Sequence, residues 1–85
     1  MPTSHQGDDD ARGLCFAIVV SRYNDFITKP LLDGCVSTLT TKGATNSEID
    51  VYWAPGAFEI PLVTQRAAQS GHYDAIICLG AVILG

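Results

Sequence analysis

Eighty-five residues, 47% hydrophobic and 16% charged, make at most one small domain and exclude a disordered chain, which would be poorer in apolar residues. A net charge of −4, with five basic residues scattered along the chain, leaves no patch to hold a phosphate backbone, so no nucleic acid is expected as a partner. No apolar run reaches the ~18–20 residues that a membrane span needs, and the polar start has neither the basic nor the apolar region of a signal peptide.

Residues 1–13, with Asp8, Asp9 and Asp10, read as a flexible acidic arm, and 14–85 as the folded unit. Leu14 to Val20 is a continuous apolar run rich in branched residues, which predicts a strand buried on both faces. Ser21 to Asp25 is polar. Ile27, Leu31, Leu32, Cys35, Val36 and Leu39 then recur at helical spacing. Asp25 or Thr28 is the expected cap of that helix, Pro30 falls in its first turn, and Gly43 ends it. Ile49, Val51 and Trp53 alternate as a second strand, which Pro55-Gly56 breaks. Ile60 to Ser70 is a second helix, with Pro61 near its start, Leu62, Val63 and Ala67 on one face, and Gly71 as its stop. Asp74 precedes a third strand, Ala75 to Leu79.

The order β-α-β-α-β predicts parallel strands joined by right-handed crossovers, the front part of a doubly wound α/β domain. Ligands of such sheets bind beyond the carboxyl ends of the strands. Three loops meet there: Ser21 to Asn24, Ala54 to Glu59, and Gly80 to Gly85. Tyr23 offers a flat face to a ring ligand, or else packs over the helix start. Glu59 accepts from ligand hydroxyls, or else complements the helix dipole. Gly56 allows close backbone approach, or only turns the chain. Phe58 and Trp53 read as core, and Arg22 as a solvated surface group. His5 falls in the arm and His72 at a helix end, and neither is assigned a catalytic role.

Cys15, Cys35 and Cys78 are odd in number and widely spaced, with no CxxC and no histidine at metal-ligand spacing. They read as three buried free thiols of a reducing compartment, which makes the cytoplasm the expected location. Phosphate-loop, dinucleotide, HExxH and GxSxG signatures are all absent from the sequence.

Three segments then carry a likeness: Val19-Val20-Ser21-Arg22-Tyr23-Asn24-Asp25-Phe26-Ile27-Thr28, Ala54-Pro55-Gly56-Ala57-Phe58-Glu59-Ile60-Pro61, and Leu79-Gly80-Ala81-Val82-Ile83. Together, and at these intervals, they resemble the lumazine synthase family over residues 14–85. The resemblance implies a flavodoxin-like three-layer α/β/α fold, of which the first β-α-β-α-β portion lies here, truncated after the third strand. It implies a transferase of riboflavin biosynthesis that makes 6,7-dimethyl-8-ribityllumazine from 5-amino-6-(D-ribitylamino)uracil and 3,4-dihydroxy-2-butanone 4-phosphate. No metal and no organic cofactor is implied. Tyr23 stands where the family stacks Phe or Trp on the pyrimidine. Ala57, Phe58 and Glu59 match the segment that holds the ribityl chain, and Ala81, Val82 and Ile83 the segment that reads the uracil edge. The family's proton-transfer histidine and phosphate-binding residues would lie after Gly85, so no catalytic residue is assigned. Leu84 departs from the Arg or Lys that the family has there, which bears on the charge beside the phosphate site.

The implied partners are the two small-molecule substrates and further copies of the chain, as a pentamer or a shell of pentamers. The 85 residues alone are expected to fold poorly and to be inactive, because the outer edge of the third strand would be left unpaired. The other class of function is non-catalytic: a truncated or diverged member that binds a ribityl-pteridine or flavin, or only associates with full-length subunits.

Overall fold

A computed structural model of the chain describes residues 10–82. Its three strands are β1 (Phe16–Ser21), β2 (Ile49–Ala54) and β3 (Ala75–Leu79), all parallel, in the order β2-β1-β3. Between them run α1 (Asp25–Thr41) and α2 (Ile60–Gln69). This is the α/β architecture expected from the alternation, and its strand order is the opening part of the flavodoxin-like arrangement.

The central strand explains the layering. Every residue of β1 is buried, because neighbours flank it on both edges and helices cover both faces. On one face Phe16 packs with Ala11, Ala44, Ile49 and Leu39 of α1. On the other, Val19 packs with Ala54, Ile76 and with Ile60 and Val63 of α2. Odd and even positions of one strand point to opposite faces, so the two helices sit on opposite sides.

β1 is displaced from the predicted Leu14–Val20. Leu14 is exposed and sits in a turn, its N–H donating to the Ala11 carbonyl at 3.3 Å. At the other end Ser21 still pairs with Ala54, which extends the strand by one residue. The sheet's amino end is clamped where the Cys15 N–H donates to Asp74 Oδ2 at 2.7 Å and the Asp74 N–H donates to the Cys15 carbonyl at 2.8 Å.

The caps of α1 also differ from expectation. Asn24 is the N-cap residue, in the left-handed region at φ 63°, ψ 44°, and Asp25 opens the helix. Thr28 is buried inside the helix, and Pro30 lies beyond the first turn. Its missing N–H removes one intrahelical bond there. Gly43 and Gly71 follow α1 and α2 with positive φ, as their stop positions require.

Two packing expectations are corrected. Leu62 is 55% exposed, whereas Ile60 and Ala67 are buried and Val63 half-buried. At 100° per residue, positions 60, 63 and 67 share a stripe that position 62 does not. The thiols are free, but not all buried: Cys15 and Cys35 are half-buried and Cys78 is exposed. Cys78 lies on the edge strand β3, where Thr64 of α2 reaches it at 3.1 Å. Burial pushes the Cys35 thiol above its ordinary value.

Of the predicted arm, Ala11 is buried and its N–H donates to the Lys42 carbonyl at 2.9 Å, so the stretch just before β1 is tied down. The part of the arm before residue 10 lies outside the described residues. Among the described residues, no helix is long and apolar enough to cross a membrane.

Candidate functional site

The carboxyl ends of the three strands open into one cleft of about 690 Å³, a size suited to a small organic ligand. Tyr23 and Asn24 from the first loop line it, with Pro55, Gly56, Ala57, Phe58 and Glu59 from the second and Ala81 and Val82 from the third. Six of the seven residues singled out from the sequence, Tyr23, Ala57, Phe58, Glu59, Ala81 and Val82, thus share one hollow. The seventh, Ile83, lies outside the described residues, as does Leu84.

Each wall is built differently. The first is a tight turn from β1 into α1. The Arg22 N–H donates to the Ala54 carbonyl at 2.7 Å and the Tyr23 N–H to the Pro55 carbonyl at 3.1 Å, stapling this wall to the second. Tyr23 is 70% exposed, so its ring is not spent on packing over the helix start.

The second wall is a single 3₁₀ turn, Ala57–Glu59, entered from an extended Gly56. Glu59 is then the N-cap residue of α2, with Pro61 following in the first turn. The wall therefore ends at a helix N-terminus, where free N–H groups favour polar acceptors. A Cβ placed on Gly56 would stand 3.1 Å from Glu59 Oε2, so glycine leaves the carboxylate its room. Phe58 is 93% exposed, which corrects its reading as core. Trp53 is also exposed rather than core, because β2 is the outer strand on that side.

The third wall depends on Gly80. A Cβ there would meet Ile60 Cδ1 at 2.9 Å and Ala57 Cβ at 3.6 Å, and Ile60 is a buried core residue. Glycine therefore lets the chain leaving β3 approach the second wall closely enough to close the cleft.

Chemically, the lining combines an aromatic ring, a carboxylate and main-chain donors and acceptors at a strand end. Such a surface suits a flat ring with polar edges and a hydroxylated chain. Arg22 and His72 are exposed and lie outside the lining. Among the described residues no three His, Cys, Asp or Glu side chains converge as metal ligands.

The chain matches the sequence profile of the 6,7-dimethyl-8-ribityllumazine synthase family over residues 13–85. The chain belongs to that family. A 6,7-dimethyl-8-ribityllumazine synthase of Syntrophus aciditrophicus (strain SB) is 53% identical to it over 85 residues, 100% of this chain and 55% of that relative. The chain thus spans about half the length of the relative it matches. The three segments that carried the resemblance adjoin in space around this cleft although they are widely separated in sequence.

Sequence reading passed over the lining residues Asn24 and Pro55 as site members, and left Gly56 open between close ligand approach and a simple turn. Their signal was present, since all three stand in the loops that the topology collects. Their contribution is backbone shape, which residue chemistry alone does not advertise.

Proposed function

We propose that this cleft is the ring-and-ribityl half of a lumazine synthase active site, in a transferase of riboflavin biosynthesis. The reaction condenses 5-amino-6-(D-ribitylamino)uracil with 3,4-dihydroxy-2-butanone 4-phosphate and releases phosphate and water. The observation that supports this reading most strongly is the convergence of Tyr23, Glu59 and the Ala81–Val82 backbone on one hollow of suitable size.

In this reading Tyr23 stacks on the pyrimidine. Glu59 accepts hydrogen bonds from ribityl hydroxyls, helped by the backbone of Ala57 and Phe58. The main chain at Ala81, Val82 and Ile83 reads the uracil edge. The catalytic contribution of such a cleft is approximation: it holds the amine where the second substrate's carbonyl arrives, so that imine formation becomes effectively intramolecular. That effect is worth up to ~7–11 kcal/mol in well-aligned systems. The lining supplies no metal chemistry in this scheme, and none is needed to form an imine.

Tyr23 and Glu59 are the titratable side chains of the described lining. In this reading the 85 residues by themselves fold poorly and are inactive, because the outer edge of β3 has no strand partner among the described residues. Apolar side chains left exposed on α1 (Phe26, Leu31) and on the outer strand β2 (Val51, Trp53) offer surface for association with further copies; the pentamer or larger shell and the cytoplasmic location follow in this reading from family membership.

The test is to assay the full-length gene product with both substrates, and the 85-residue chain for binding of 5-amino-6-(D-ribitylamino)uracil. Lumazine formation by the former and neither turnover nor tight binding by the latter are expected. A full-length product that neither binds the uracil nor forms lumazine would remove the reading.

A further inference from the structure

Ser21 and Thr28 are both 0% exposed, and they are the buried polar residues of the described chain. Neither hydroxyl serves the hydrophobic layers around it, where Ala and Val would fill nearly the same space. Both bond instead to the backbone of the turn that carries Tyr23. Thr28 Oγ1 donates to the Ser21 carbonyl at 2.8 Å, reaching back from α1 across the turn. Ser21 Oγ donates to the Tyr23 carbonyl at 3.1 Å. The register of β1 with β3 ends at Val20–Leu79, so Ser21 lies one residue past that ladder and Thr28 takes up its carbonyl.

The same turn holds Asn24 in the left-handed region, where asparagine is favoured among non-glycine residues. The Asn24 carbonyl accepts from the N–H groups of Ile27 at 2.9 Å and Thr28 at 3.2 Å. Thr28 thus grips the turn twice, through its backbone at Asn24 and through its hydroxyl at Ser21.

We infer that Thr28 and Ser21 are positioning residues, whose buried hydroxyls hold the Ser21–Asn24 turn in the shape that sets the Tyr23 ring across the cleft from Glu59. Neither lines the cleft, so both act through Tyr23. The inference rests on the reading of the cleft as the ring-and-ribityl site.

The experiment uses the full-length gene product and three variants: Thr28→Val, Thr28→Ser and Ser21→Ala. Two quantities are read against the thermal midpoint. One is affinity for 6,7-dimethyl-8-ribityllumazine by fluorescence titration, and the other is hydrogen exchange at the Arg22 and Tyr23 amides. Thr28→Val is expected to bind about tenfold more weakly, the scale of one buried hydrogen bond. Its Arg22 and Tyr23 amides should exchange faster, while Ile18 and Val19 in β1 keep their protection. Thr28→Ser should restore both readouts, and Ser21→Ala should show a smaller loss of the same pattern. A purely structural role would loosen the whole sheet evenly, and that result, or unchanged binding and exchange in Thr28→Val, overturns the inference. If Thr28→Val does not fold, Ser21→Ala carries the same decision. Failure of the unaltered protein to bind the lumazine overturns the reading of the cleft, and exchange at Tyr23 then decides the positioning claim by itself.

Discussion

The two ends of the sheet are built on opposite rules. At the amino end side chains close on one another. Asp74 clamps Cys15, Tyr73 donates its hydroxyl to Asp50 Oδ2 at 2.6 Å, and the Tyr52 hydroxyl bonds to that of Tyr73, with the two rings edge-on at 6.1 Å. Asp10 and Arg12 pair just before β1. At the carboxyl end the backbone is tightly bonded, yet Tyr23, Phe58, Glu59 and Val82 stand exposed around a hollow. A chain that pairs its polar groups at one end and leaves an aromatic ring and a carboxylate open at the other has departed from the rule of self-satisfaction. Such departures concentrate where something else is to be bound.

Substitutions at four positions sharpen that contrast, in falling order of effect. Gly80→Val drives a branched side chain onto buried Ile60. It is expected to cost about 3 kcal/mol of stability, the upper part of the range for overpacking, with the cleft distorted as well. A denaturant midpoint equal to that of the unaltered protein would show that the third wall does not need its close approach. Glu59→Ala comes next. It should weaken ribityl-ligand binding by about 2 kcal/mol, as for a lost hydrogen bond to a charged group. The carboxylate is exposed and stands beside Gly56 of its own turn, so the thermal midpoint should stay put; equal affinity in the variant would withdraw the role given to Glu59.

Asn24→Ala places an ordinary side chain at φ 63° and should lose about 1 kcal/mol of stability, whereas Asn24→Gly should lose less. Urea unfolding of the two variants checks this, and equal losses would mean that the left-handed turn is not what asparagine supplies.

The smallest effect belongs to the other end of the sheet. Tyr73→Phe should leave ligand affinity unchanged, because the Asp50–Tyr73 bond lies far from the cleft. Its signature is in pH instead. The bond to Asp50 raises the Tyr73 phenol above its ordinary 10.0. A raised folded value stabilises the protein below that ordinary value and loses its contribution as the pH climbs past it. In an alkaline absorbance titration the variant should lack a phenol that ionises above the ordinary value. A titration curve with that late phase intact would assign it to another tyrosine.

Much of this was legible beforehand, for identifiable reasons. Ala75–Leu79 was read with its bounds as they stand, because a short apolar run framed by Asp74 and Gly80 has few other fates. The strand–helix alternation fixed where the loops would gather, and so which residues would share a cleft. Side-chain direction was harder. Phe58 looked like core because phenylalanine usually is, but a single 3₁₀ turn has no buried face to put it on. Leu62 went astray by one helical position. The Asp50–Tyr73 bond joins residues 23 apart, and nothing local marks it. Thr28 was expected as a cap because threonine favours helix starts. Its buried hydroxyl bonds to Ser21 instead, a role that only the packed turn reveals.

The most direct measurement is an amide chemical-shift map of the full-length gene product on adding 6,7-dimethyl-8-ribityllumazine. Shifts at Tyr23, Ala57, Glu59 and Ala81, with Asp50, Tyr73 and Asp74 unmoved, are expected if the open end of the sheet is the site. Shifts gathered at the amino end, or none at saturating ligand, would contradict the account.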